Sequence, residues 1–129
     1  MARPQRSRRV CSTPAFNLFL PSFCCSSDEA ARTDAVVLTI DDYEVLRLVD
    51  FEGLTHSECA RQMNISRTTA TEICEAARRK TASSLVLGKK LYISGGNWEL
   101  CSGGRDDCYK SVCFRDEADA DGTGTANVT

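Results

Sequence analysis

Between Gly53 and Cys74 the chain reads Gly-Leu-Thr-His-Ser-Glu-Cys-Ala-Arg-Gln-Met-Asn-Ile-Ser-Arg-Thr-Thr-Ala-Thr-Glu-Ile-Cys, and no other run constrains the fold as tightly. Thr55 and Glu58 have the spacing of a capping box, in which the threonine hydroxyl accepts from the amide three residues on and the carboxylate accepts from the threonine amide. They predict a helix that starts at about His56. Met63 is its last core-facing residue. Asn64 follows, and after Gly, Asn is the residue that adopts a left-handed conformation most cheaply. A sharp corner is expected there. Ile65 then plugs the gap between two helices, Ser66 caps the second, and Ala70, Ile73, Cys74 and Ala77 recur along it at helical spacing. Ala60 is small where the helices would cross closely.

This register predicts a helix-turn-helix, the hairpin that places its second helix in the major groove of DNA. A capping box alone would suit any helical hairpin with a solvated polar face. The box, the turn Asn, Ile65, the Ser66 cap and the small Ala60 together favour DNA. The predicted contact set on and around the second helix is Ser66, Arg67, Thr68, Thr69, Thr71 and Glu72. Near the helix N-terminus, amides and the positive end of the helix dipole meet phosphates. Arg67 suits a guanine or a phosphate, and Thr68 or Thr71 a thymine methyl or a phosphate. Arg78 and Arg79, beside Lys80, are candidate phosphate clamps, or simply cations near the negative end of the helix.

Upstream, Thr39 can cap a helix from about Ile40 to Phe51, with Asp41 and Asp42 in its first turn. Gly53 would break it. Downstream, the second helix of the hairpin runs uninterrupted to Leu87, where Leu85 and Leu87 extend its apolar side and Gly88 supplies a C-terminal cap. Alternation then replaces helical spacing. Lys90 to Leu100 carries a Gly95-Gly96 pair suited to a type I′ turn, which would set Ile93 opposite Trp98 and Leu91 opposite Leu100. Val36 to Leu38 could add a short third strand. The expected fold is mainly α: a tri-helical helix-turn-helix core with a C-terminal β-hairpin and disordered tails.

The net charge of −2 hides an asymmetry. Arg3, Arg6, Arg8 and Arg9 make a basic arm without an acid, which can follow phosphates or enter a minor groove. The far end is acidic and rich in Gly, Thr and Ala, with no apolar pattern to bury. Three regions follow: 1–33, a basic arm and extended Pro/Phe/Cys segment; 34–101, the helical domain with its hairpin; and 102–129, an acidic disordered tail. Pro14, Asn17 and Pro21 interrupt the N-terminal apolar run, which argues against a secretory signal, whereas an organelle transit peptide is harder to exclude. No stretch is long enough to span a membrane.

Of eight cysteines, Cys59 and Cys74 fall on core faces, where a thiol behaves as a small hydrophobe. Cys11, Cys24, Cys25, Cys101, Cys108 and Cys113 lie in the flanks without the Cys-x-x-Cys knuckle of a structural zinc site, and there is one His. No cofactor or metal is expected. Reduced thiols of a cytoplasmic protein are the plain reading, with a metal site or a thiol pair among Cys11, Cys25 and Cys101 as the rival. His56 and Cys59, one turn apart, lack an orienting third group, and no phosphate-binding Gly loop is present, so no enzyme is expected.

Further residues carry a resemblance. They are the basic opening Arg3-Pro4 through Arg8-Arg9-Val10-Cys11, then Pro14, Asn17, Phe19 and Pro21, then Tyr43-Glu44, Leu46-Arg47-Leu48, Glu52-Gly53-Leu54-Thr55, Arg67-Thr68-Thr69 and the Gly95-Gly96 turn. From about Ala2 to Cys101 the chain resembles a small bacterial and archaeal family known as a domain of unknown function (number one-three-four), with a helix-turn-helix similar to region 4 of sigma factors. Members often carry paired cysteines where this chain has Cys11-Ser12, and a branched residue where it has Ala70. The resemblance implies sequence-specific binding of double-stranded DNA in transcriptional control. Two other functions stay open. One is a sigma-like adaptor that docks on RNA polymerase or another protein through the acids of the first helix; the other is a thiol- or metal-responsive sensor. Many helix-turn-helix proteins pair to read two half-sites, so a homodimer is also open, although no heptad seam is visible.

Overall fold

Each helix begins where the sequence places a cap. In the computed structural model, which describes residues 7–21, 35–103 and 108–110, helix α1 (Ile40–Leu46) starts at a capping box. There the Thr39 hydroxyl accepts from the Asp42 amide at 3.3 Å, and the Thr39 amide donates to the Asp42 carboxylate at 3.2 Å. Helix α2 (His56–Met63) opens the same way on Thr55 and Glu58. Helix α3 (Arg67–Leu87) is capped by Ser66, whose hydroxyl accepts from the Thr69 amide at 3.0 Å. Glycine and asparagine end the segments. Gly53, Asn64 and Gly88 all have positive φ, at 83°, 61° and 65°.

The helix expected over Ile40 to Phe51 changes pitch on the way. After Leu46 the chain widens into a π-helical turn, Arg47–Phe51, closed by the Glu52 amide donating to the Arg47 carbonyl at 2.8 Å. This turn faces Leu48 into the core and leaves Phe51 on the surface.

Five strands complete the described residues: β1 (Arg8–Val10), β2 (Leu18–Phe19), β3 (Ala35–Leu38), β4 (Lys90–Ile93) and β5 (Trp98–Leu100). They form two sheets. In one, β4 is central, antiparallel to β2 and parallel to β3, with Leu91 opposite both Phe19 and Val36. In the other, β1 and β5 are parallel, with Arg8 opposite Trp98 and Val10 opposite Leu100. Helix α3 lies against α1, α2 and β3. The main core gathers Val10, Val45, Leu48, Cys59, Met63 and Cys74, all fully buried, and a smaller one holds Leu38, Ala77 and Ile93.

This mixed α/β architecture, three helices with five strands in two sheets among the described residues, overturns the expected mainly α fold of a tri-helical core with a C-terminal hairpin, while the tails expected to be disordered lie largely outside the described residues. The hairpin fails for a geometric reason. A strand has two edges, and those of β4 are taken by β2 and β3, so β5 must find its partner elsewhere. The glycine turn exists, with φ of 75° at Gly95 and 100° at Gly96, but it is anchored to the start of α1. The Ser94 amide donates to the Leu38 carbonyl at 2.9 Å, and the Ile40 amide to the Gly95 carbonyl at 3.0 Å. Ile93 therefore pairs with Leu38 and not with Trp98, and Leu100 is partly exposed. Leu85, Val86 and Leu87 are also exposed, so the last turn of α3 does not extend its buried side.

Of the acidic tail, residues 102–103 and Cys108–Lys110 are described and the remainder is not. The Tyr109 amide donates to Gln62 Oε1 at 3.2 Å. No helix among the described residues is long and apolar enough to cross a membrane.

Candidate nucleic-acid interface

The corner between α2 and α3 is built by backbone bonds. Asn64 takes the left-handed conformation (φ 61°, ψ 47°), its amide donates to the Arg61 carbonyl at 3.3 Å, and the Ile65 amide donates to the Ala60 carbonyl at 3.0 Å. That pair of bonds is the Schellman arrangement, which satisfies carbonyls a helix end would otherwise leave open. Ile65 packs against the core cluster that includes Ala60 and Ala70, and Ser66 starts α3 at once.

Ser66, Arg67, Thr68 and Glu72 are consequently exposed, and Thr69 and Thr71 half-buried, on one patch at the start of α3. Arg67 pairs with no carboxylate among the described residues. The Ser66 hydroxyl, besides capping, donates to Thr69 Oγ1 at 2.8 Å. Thr71 meets a residue that the sequence reading left outside the contact set: its Oγ1 lies 2.8 Å from His56 Nδ1 on α2. The signal was slight. Only the docking of α2 on α3 brings position 56 to position 71.

The other proposed contacts are divided. Arg3 and Arg6 lie outside the described residues. Arg8 ion-pairs with buried Asp41 at 2.7 Å, and Arg9 donates to the Gln62 and Arg61 carbonyls at 2.8 and 3.0 Å, next to the Asn64 corner. Both guanidinium groups are thus engaged within the fold. Arg78 holds Asp50 of the π-helical turn with two hydrogen bonds, of 2.6 and 3.1 Å, which keep the Asp50 carboxyl below the usual carboxylate range. Arg79 is exposed beside Val36, Ala76 and Ser83. Lys80 reaches back to Asp42 at 2.8 Å.

The acids of the first helix are not a surface. Asp41, Asp42 and Glu44 are all buried. Glu44 is gripped by Arg47 through bonds of 2.9 and 3.0 Å and also accepts from the Cys11 amide at 2.9 Å. Arg47 continues to Glu52 at 3.1 Å and to the Tyr109 hydroxyl at 2.9 Å. Burial alone would weaken its hold on the proton, but the Glu44 carboxylate reverses this and raises its pKa. Periodicity could not reveal this network, because its members come from three separate regions.

Cys59 and Cys74 are buried as the helical spacing requires, and burial pushes the Cys59 thiol up to about 12 and raises that of Cys74. Cys11 is pushed up to about 11, by burial first and then by the Glu44 carboxylate. Gln62 Nε2 donates to Cys11 Sγ at 3.7 Å and to Cys108 Sγ at 3.5 Å. Cys24, Cys25 and Cys113 lie outside the described residues, among which no three His, Cys, Asp or Glu side chains cluster as metal ligands would.

Several proteins are similar to this chain. A UPF0251 protein of Desulfitobacterium hafniense strain Y51 is 44% identical over 115 residues, spanning 89% of this chain and 88% of that one. A UPF0251 protein of Chlorobaculum tepidum is 44% identical over 97 residues, 75% of this chain but 47% of its own length. One from Clostridium tetani is 39% identical over 110 residues, covering 84% and 72%. No solved structure matches. The family profile described as "Protein of unknown function DUF134" matches residues 1–101, and with relatives this similar the chain belongs to that family.

Proposed function

We propose that this protein binds double-stranded DNA at specific sequences through α2 and α3, acting as a helix-turn-helix of the sigma region 4 kind, and regulates transcription in the cytoplasm. The observation that carries the reading is Arg67, exposed and paired with no carboxylate among the described residues, at the capped N-terminus of α3 immediately after the left-handed corner at Asn64. An exposed guanidinium beside the amides and the positive end of the helix dipole is what a phosphate or a guanine edge needs. Arg67, Thr68 and Thr71 would meet base edges, while Ser66 and Thr69 suit phosphate oxygens.

An adaptor docking through the first helix has less to recommend it, because the acids it would offer are internal and already paired. The reading assigns no catalysis and needs no cofactor. Selection of bound fragments from a random duplex pool, followed by sequencing, tests it directly. A defined motif is expected, with affinity falling steeply as salt rises. Arg67→Ala should cost about 1–3 kcal/mol at a single base or phosphate position. Binding indifferent to both salt and Arg67 would overturn the proposal.

A further inference from the structure

A threonine hydroxyl in a major groove ordinarily reads little, because it both donates and accepts and turns to suit either kind of base edge. Thr71 is constrained where such a residue is usually free. Its Oγ1 sits 2.8 Å from His56 Nδ1, and neither side chain makes another hydrogen bond among the described residues. Thr81, further along the same helix, donates to the carbonyl four residues back, at 2.9 Å from Ala77. Thr71 is instead turned toward α2. His56 is half-buried in the first turn of a helix whose start is fixed by its own capping box, so the backbone that carries the ring is held in place.

We infer that His56 is a specificity-determining residue of this interface, one that acts through Thr71. With the ring neutral and its proton on Nε2, the tautomer a neutral imidazole ordinarily favours, Nδ1 accepts the Thr71 hydroxyl proton. Thr71 Oγ1 then meets the groove with lone pairs only. An acceptor of this kind complements a base with an exocyclic amine, adenine N6 or cytosine N4, and is repelled by the keto oxygens of guanine O6 and thymine O4. Without His56 the hydroxyl turns freely and the distinction disappears. The inference rests on the DNA-binding reading above and adds to it which chemical class of base one position selects.

The test is the same duplex selection, run in mildly alkaline buffer, on the full chain and on three variants. Thr71→Val keeps the shape and deletes the hydroxyl; the position whose preference it erases is the one Thr71 reads. At that position the unmodified protein should favour amino over keto bases by roughly three- to tenfold, the discrimination expected of one net hydrogen bond. His56→Ala should flatten this preference and leave the rest of the motif intact. His56→Gln, whose amide can offer either a donor or an acceptor, should flatten it too, and provides the same readout if the alanine variant does not fold. A keto preference in the unmodified protein would overturn the inference, as would an amino preference that survives both His56 substitutions or a motif that Thr71→Val leaves unchanged. Each of those results leaves DNA binding standing. A pool from which the unmodified protein selects nothing would instead remove the DNA-binding reading and this inference with it.

Discussion

Gly96 turns through a φ of 100° with Thr39 so near that an added Cβ would come within 2.7 Å of the Thr39 Cβ and would also meet the Asp41 carboxylate. Two penalties then add, one for the backbone conformation and one for overpacking. Gly96→Ala should destabilise the protein by about 2–4 kcal/mol, read as a drop in the midpoint of urea unfolding. Gly95, whose Cβ would meet nothing within 4 Å, would incur only the first penalty, so the same change there should cost less. What was legible at this scale was whatever depends on close neighbours in the chain. Thr55, Glu58, Asn64 and Ser66 act on partners within four residues, and each does what its spacing implied. Arg8 and Arg9 were read as an arm for phosphates because their partners, Asp41 and the carbonyls of Arg61 and Gln62, lie more than thirty positions away. Nothing in a local pattern announces such a pairing. His56 escaped for the same reason.

Helices were more legible than strands. A cap, a spacing of three or four and a terminal glycine are all contained within one helix, so the bounds of α2 and α3 follow from the residues themselves. A strand is completed by a neighbour that the local sequence does not contain. The register that sorted Leu91, Ile93, Trp98 and Leu100 to one side was self-consistent, but it ignored the competing claims of β2 and β3 on the edges of β4. The π-helical turn was equally hidden, since one extra residue in a turn leaves no mark on composition. That turn is tied to α3 by Asp50 and Arg78, and the tie has a pH signature. Hydrogen bonding to Arg78 lowers the Asp50 carboxyl, so its contribution to stability is fully present above the ordinary carboxylate range and is lost as pH falls through the lowered value. With side-chain exposures of 51% and 42%, solvent screens the pair to less than about 1 kcal/mol. Asp50→Asn should therefore lower stability slightly at neutral pH and not at all in strong acid, with the gap narrowing as salt is added.

At the scale of the whole molecule, the expected pairing of β4 with β5 gives way to pairings that join distant parts of the chain. Residues Arg8–Val10 pair with Trp98–Leu100, Val10 is fully buried in the main core, and Arg9 covers the carbonyls beside the Asn64 corner. Deleting residues 1–10 should accordingly do more than weaken any hold on DNA. It should lower the thermal midpoint sharply or abolish the cooperative transition, measured by circular dichroism with no nucleic acid present. A truncated protein that melts like the full chain would show that the segment serves only the interface. Charge asymmetry was legible in the sequence, but the use the fold makes of it was not, because an arginine-rich terminus looks the same whether it meets phosphates or carboxylates. The parallel pairing of β1 with β5 also orders events during synthesis. The ribosome releases the amino terminus first, yet β1 has no edge to dock on until Leu100 has cleared the exit tunnel. Until then the core that α1 to α3 build around Val10 lacks its β1 side, and docking of β1 on β5 closes it as a late step of folding.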